Sequence, residues 1–389
     1  MKKKYLFRFT VNMSNRHLHI VSFAIPYPAN FGGVIDVYYK LKALHAQGIR
    51  IHLHCFAYRI QPAPELLQYC ESVDYYFRNT GLAAALTLKP YIVASRRSSQ
   101  LLTRLLQDDY PILFEGLHCC YYLGHPALRG RTLIYRESNI EHAYYYQLAR
   151  AEKNIFNTTY FLLASLKLRM FQPILKYATK MLVVSEEDRQ YLARKFPDNM
   201  VIYLPSFHPS DAVNSLPGRG EYALYHGNLS VPENSKAAEY LVKNVFDSNV
   251  YPLVIAGLNP PVWLQKLVLD KKHIHLLPNP THAEMETLVQ ESHVSIMVTF
   301  QATGLKLKLL QALYNGRFTL VNPAMLTGTG LGELCMIAQD AAGLKTAIDK
   351  LFSRTFEAGE IGKREKILEG RFSNQLNAIR LIDAVFEGR

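Results

Sequence analysis

The chain has 389 residues, beyond the size at which one hydrophobic core usually stops growing, so two domains are expected. Its composition, 49% hydrophobic and 20% charged, excludes a disordered chain. Its net charge of +12 is unevenly placed: residues 1–200 hold 26 Lys and Arg against 14 Asp and Glu, whereas residues 201–389 hold 18 of each.

No apolar run reaches the roughly 18 to 20 residues that span a bilayer, and Lys2, Lys3 and Lys4 are not followed by a secretory h-region. The five cysteines (Cys55, Cys70, Cys119, Cys120, Cys335) lack metal or redox spacing and fit reduced thiols of the cytoplasm. The basic half is expected to face something anionic, or else only solvent. It carries no aromatic-interleaved patch or motif for nucleic acid, which leaves an anionic membrane or a phosphorylated acceptor.

In chain order, buried strands are expected at His19–Ile25, Ile49–Phe56, Asp74–Phe77, Ile112–Glu115, Thr132–Tyr135, Met181–Ser185 and Val201–Leu204. Amphipathic stretches lie between them at Val34–Gln47, Ser98–Gln107 and, as one long segment, Ile140–Tyr177. Within the last, Tyr160–Leu175 reads either as a core helix or as a membrane-touching one. Pro205–Gly220 is rich in Pro, Ser, Gly and Asn and reads as the interdomain linker. The second half repeats the plan, with strands at Tyr222–His226, Leu253–Ala256, His273–Leu277, Val294–Val298 and Phe318–Val321. Helices are expected there at Glu233–Phe246, Thr281–Glu291, Leu305–Tyr314, Ala342–Phe352 and Ser373–Phe386. Such alternation predicts an α/β fold with two doubly wound parallel sheets, each binding ligands beyond the carboxyl ends of its strands.

Two motifs suggest anion chemistry. Ile25-Pro-Tyr-Pro-Ala-Asn-Phe-Gly32-Gly33 runs from a strand into a helix, where backbone N–H groups favour phosphate; a turn needing glycine for shape alone fits equally. In Thr303-Gly304-Leu-Lys306-Leu-Lys308-Leu-Leu-Gln311, Lys306 is expected in a helix's first turn, where the dipole disfavours a cation unless an anion is near. An ordinary solvated lysine pair is the other reading.

The second motif, with Ala312 and Gly316 after it, resembles the Gly-x-Arg/Lys-x-Lys run of retaining GT-B glycosyltransferases of the family-four type. So do Tyr27–Gly33, Arg136-Glu-Ser-Asn-Ile-Glu-His142, Val183–Asp188 and His226-Gly227-Asn228-Leu-Ser-Val-Pro-Glu-Asn234, in the same order along the chain. The resemblance implies two facing Rossmann-like domains, 1–205 for the acceptor and 206–370 for the nucleotide sugar, with residues 371–389 as a helix crossing back to the first. It implies donor contacts from Gly32, Gly33, Gly227, Asn228, Thr303, Gly304, Lys306, Lys308 and Gln311, and catalytic roles for His118 and Glu141. Glu115 is a further acid/base candidate.

Where the family carries paired glutamates, this chain has Thr303 and Gln311. Gln311 can still hydrogen-bond a ribose diol, as a neutral group. The implied reaction is transfer of a sugar from a UDP- or GDP-linked donor to a hydroxyl of a glycan or lipid-linked acceptor. It would proceed with retention, with no cofactor or metal, in bacterial surface polysaccharide or glycolipid synthesis. A nucleotide-sugar 2-epimerase and a catalytically silent binding subunit are the alternatives. The expected site of action is the cytoplasm or the inner face of the plasma membrane, with Arg96, Arg97, Lys167 and Arg169 as candidate lipid contacts.

Overall fold

The computed structural model describes residues 16–387 apart from 82–83, 85, 153, 248–250 and 301–305. The chain divides into two compact units, one running to Phe207 and resuming at Asn374, the other His208–Ser373.

The first unit holds β1 (His17–Ser22), β2 (Arg50–Ala57), β3 (Ser72–Phe77), β4 (Ile112–Glu115), β5 (Leu133–Glu137), β6 (Lys180–Val183) and β7 (Met200–Tyr203). They form one parallel sheet in the order β3-β2-β1-β4-β5-β6-β7. Helices cover both faces, so β4, β5 and β6 are buried at every position. Side chains alternate between two cores. Leu18, Ile20, Leu113 and Ile134 pack toward Val37, Leu41 and Leu44 of the Gly32–Ala46 helix and toward Leu381 and Ile382 of the Asn374–Phe386 helix. Val21, Ile112, Phe114 and Tyr135 meet Leu101, Leu168 and Leu192 on the other face.

The second unit holds β8 (Ala223–Asn228), β9 (Leu253–Leu258), β10 (Ile274–Pro278), β11 (Val294–Met297), β12 (Phe318–Val321) and β13 (Met336–Ile337), all parallel, in the order β10-β9-β8-β11-β12-β13. Strand order reverses between β1 and β4 in one sheet and between β8 and β11 in the other. These are the two points where a doubly wound sheet opens a crevice.

Several expectations are corrected. The stretch from Ile140 to Tyr177 is two helices, Glu141–Ala151 and Ile155–Phe171, because Asn154 caps the second: its Oδ1 accepts from the N–H groups of Phe156 (2.9 Å) and Asn157 (3.3 Å). The helix expected from Leu305 begins at Leu307. The expected Glu233–Phe246 helix runs as Pro232–Tyr240 followed by a wider turn at Leu241–Val245. The 15-residue Ala358–Phe372 helix was not anticipated. The boundary between the two units, Phe207 to His208, falls within the Pro205–Gly220 segment, which is tied down at each end. Arg136 donates to the carbonyls of Leu204 (2.6 Å) and Pro205 (3.1 Å) in the first unit, and Gly218 bridges Phe356 in the second. Among the described residues no helix is long and apolar enough to cross a membrane.

Candidate functional site

In the second unit the crevice lies beyond the carboxyl ends of β8 and β11. Strand β8 ends in His226, Gly227 and Asn228, and the loop turns at once into the Pro232–Tyr240 helix. The Asn228 side chain shapes that turn, accepting from the Ser230 N–H (3.0 Å) and hydroxyl (2.7 Å), while its carbonyl accepts from Asn234 Nδ2 (2.9 Å). After β11, Thr299 donates its hydroxyl to Glu233 and is held by Asn322, whose amide nitrogen donates to the Thr299 carbonyl (2.7 Å).

The Leu307–Asn315 helix brings the cations. Lys308 Nζ donates to Asn234 Oδ1 (3.2 Å) and lies 5.5 Å from the Tyr225 ring centroid, a cation–π distance. Lys306 is the residue before the first helical turn, not within it. Burial lowers its amine to about 8 against the pull of Glu233, with Lys308 adding to the lowering; burial lowers Lys308 as well. His226 is buried, its imidazole pushed down to about 3 by burial and then by Lys308, and its Nε2 has no hydrogen-bond partner among the described residues. Two desolvated lysines against the one carboxylate of Glu233, beside the unsatisfied ring nitrogen of His226, leave this switch point net positive. Gln311 follows one turn after Lys308 on the same helix, partly exposed. Thr303 and Gly304 lie outside the described residues.

The crevice of the first unit opens beyond β1 and β4. Gly33, in the first turn of its helix, approaches Phe23 so closely that a Cβ would sit 2.6 Å from the tip of the ring, which would have to shift to admit one; Gly32 opens the same turn. Gly116, left-handed at φ 76°, turns the chain after β4 and aims His118 back toward Phe23, ring centroids 5.6 Å apart. His118 Nδ1 lies 3.8 Å from Glu141 Oε1 and makes no hydrogen bond among the described residues. Burial, then Arg96 and Arg78, hold this imidazole well below its usual range, so it is neutral at neutral pH.

Glu141 opens its helix, buried, and burial raises its carboxyl to about 8, with Arg96 opposing. Glu137, which accepts from the Tyr135 hydroxyl (2.6 Å), is raised by burial and then by Glu141. Arg96 is buried and donates to the carbonyls of Phe23 (2.9 Å) and Ile92 (2.6 Å). It therefore cannot be the lipid contact that a surface arginine would be. The structure brings Phe23, Gly33, Arg96, His118 and Glu141 together. In sequence Arg96 reads as a lipid contact and Glu137, although inside the Arg136–His142 stretch, takes no role, because the burial that brings each beside Glu141 comes from tertiary packing. Glu115 points to the other face of the sheet, where Lys40 holds it (2.6 Å).

Glu141 gives a pH signature. Its folded carboxyl titrates near 8 and an unfolded one near 4.5, so the folded state holds a proton that unfolding releases between those values. Stability is undiminished below pH 4.5 and falls through this window as pH rises, by at most about 1.4 kcal/mol per pH unit from this group. Glu141→Gln keeps the neutral shape and removes the titration. Denaturant titrations should show it level with the parent near pH 4.5 and progressively more stable toward pH 8. A gap that does not change with pH would refute the buried neutral carboxyl.

No family model matches the chain. By structure it is similar to sucrose-phosphate synthase from Thermosynechococcus elongatus (TM-score 0.66, 14% identity, covering 94% of this chain and 97% of that one). It is also similar to S. aureus TarM in complex with Fondaparinux, alpha-GlcNAc-glycerol and UDP (0.63, 9%, 95% and 100%) and to Anabaena HepE in complex with UDP and glucose (0.60, 10%, 95% and 98%). The fold is GT-B. By sequence the chain is 25% identical over 350 residues to an uncharacterized 44.6 kDa protein in the cps region of Klebsiella pneumoniae, covering 82% of this chain and 87% of that one. In this GT-B chain the lysine pair stands at the switch point of the second sheet, and His118 and Glu141 stand at that of the first.

Proposed function

We propose that the protein transfers a sugar, with retention, from a nucleotide sugar to a hydroxyl of a glycan or lipid-linked acceptor. The observation that carries this reading is the buried cationic pocket of Lys306, Lys308, Asn234 and His226 at the β8/β11 switch point. A diphosphate would balance the net positive charge of the two lysines against Glu233. The second unit would thus hold the donor, with Gln311 at the ribose and Gly227 and Asn228 at the diphosphate; Thr303 and Gly304 complete the same stretch of sequence. The first unit would hold the acceptor, with Gly32 and Gly33 bordering its crevice.

In the transfer the bond from the anomeric carbon to the diphosphate breaks, and a new bond forms to the acceptor oxygen. The acceptor proton leaves with the departing nucleoside diphosphate. Lysines and backbone N–H groups stabilise the leaving group without metal or cofactor. Neutral His118 and neutral Glu141 would orient acceptor hydroxyls by hydrogen bonds. The relative from a cps region supports a role in bacterial surface polysaccharide synthesis, and a nucleotide-sugar donor supports action on the cytoplasmic side.

A thermal-shift panel of UDP- and GDP-sugars in EDTA tests the reading, because a ligand of the folded state raises the midpoint in proportion to its affinity. A shift with one donor, followed by glycosyl transfer in EDTA, is the expected result. Turnover of donor alone would make the protein an epimerase, binding without any turnover a silent subunit. A strict Mg²⁺ or Mn²⁺ requirement would overturn the metal-free mechanism.

A further inference from the structure

The Ile155–Phe171 helix turns its apolar side outward. Ile155, Leu162, Leu166 and Met170 recur at helical spacing along one stripe, with Phe156 and Leu163 beside it, and all are exposed, from 44% at Leu162 to 82% at Phe156 where the stripe is most open. Leu168 is the one residue of this helix classed as buried. The opposite side rests on the helix that carries Glu141, where the Ser165 hydroxyl donates to the His142 carbonyl (2.7 Å). The core reading of Tyr160–Leu175 therefore holds for Leu168 and Leu175, which pack in the core of the first unit, and fails for the outward stripe. A solvent-facing apolar stripe on a 17-residue helix, about 25 Å long, is too large to be incidental.

Its neighbours extend it. Lys167 Nζ donates to the Thr87 carbonyl (2.9 Å), which sets the exposed Leu86 and Leu88 beside the helix. The helix contains no acidic residue, and Lys167 and Arg169 are its charges. Partly exposed Lys89, next to Leu88 and 3.9 Å from the Tyr121 ring centroid, adds to the positive rim. All of this lies in the half of the chain that carries the whole net charge of +12.

We propose that this face docks the protein onto an anionic lipid surface. Apolar side chains flanked by lysine and arginine, on a helix too short and too charged to cross, suit a helix lying in the headgroup region. A second copy of the chain fits less well. A two-fold interface would set the same cations against themselves with no carboxylate on the helix to answer them. Docking here would present a lipid-borne acceptor to the carboxyl end of the sheet, where His118 and Glu141 stand. That consequence rests on the transferase reading; the docking itself does not.

Sedimentation of the full chain with phosphatidylglycerol and with phosphatidylcholine vesicles, at low and high salt, tests it. Binding to phosphatidylglycerol at low salt should exceed that to phosphatidylcholine at least about tenfold and fall at high salt. The double variant Leu163→Asp/Leu166→Asp should lose at least about tenfold of this binding, with its circular dichroism spectrum and thermal midpoint unchanged. It should also keep parent-like turnover of a water-soluble acceptor. Equal, negligible binding to both lipids overturns the proposal, as does a variant that binds like the parent. A parent dimer that the variant converts to monomer by light scattering also overturns it, assigning the face to a second copy. None of these outcomes alters donor binding, so the transferase reading stands or falls separately.

Discussion

Lys308→Ala and Lys306→Ala should each lower kcat/KM for the donor by about ten- to hundredfold. One charge-assisted hydrogen bond to a diphosphate oxygen is worth roughly 1.5 to 3 kcal/mol. Lys306 should give the larger loss. Part of the role of Lys308 is to shape the pocket through Asn234 and Tyr225, and Lys306 directly precedes the first helical turn, where a phosphate would meet backbone N–H groups.

Proton linkage distinguishes this from a general loss of stability. Burial holds the Lys306 amine near 8, and an anion beside it would raise that value. Donor binding should therefore take up protons near pH 8, and affinity should weaken as pH rises through that value. Calorimetry in two buffers of different ionisation enthalpy measures this uptake, and Lys306→Ala should abolish it. Unchanged kinetics in both variants would remove the diphosphate from this pocket.

The fold was readable because parallel sheets covered on both faces leave unbroken apolar runs such as Ile112–Glu115 and Val294–Met297, and these strands fall where the runs do. Strand β13, two residues long, carries too little pattern to be seen. The Ala358–Phe372 helix was missed because its sequence is mostly polar and its buried side chains include Arg364, whose guanidinium donates to the Leu313 carbonyl (3.1 Å) and Ser215 hydroxyl (2.9 Å). Likewise the alternation His17, His19 and His52, His54 says nothing of a ladder. Yet His19 bridges His54 (2.8 Å) and Asp108 (2.9 Å) within the sheet, and burial holds its ring down at about 4. The lysines stand at a helix start and His118 just after a strand, positions that local chain geometry decides. Arg96, Thr299 and Asn322 act through tertiary contacts that sequence spacing does not encode.

Glu115 shows the same limit from the other side, since an isolated glutamate at a strand end reads as an acid/base group and here is part of a buried charge set. Lys40 Nζ donates to Glu115 (2.6 Å) and Asp36 (3.0 Å), Arg136 pairs with Asp36 (3.4 Å), and Asp36 also accepts from the Phe207 N–H (2.7 Å). All four are buried. Two cations and two carboxylates leave no net charge, but each has lost its hydration, so removing one strands another. Lys40→Met should cost about 3 to 5 kcal/mol in urea unfolding of the first unit.

Burial already raises the Glu115 carboxyl against the pull of Lys40, and without that lysine it would escape the penalty by taking up a proton. The cost of Lys40→Met should therefore shrink as pH falls. Lys40→Met/Glu115→Leu should recover most of the loss at every pH, because the stranded carboxylate is gone and Asp36 keeps Arg136 and Phe207. A catalytic Glu115 would behave differently: the double variant would be stable but inactive. Recovered stability together with near-parent turnover assigns Glu115 to the architecture that fixes β4, and leaves the chemistry to the side chains beyond its end.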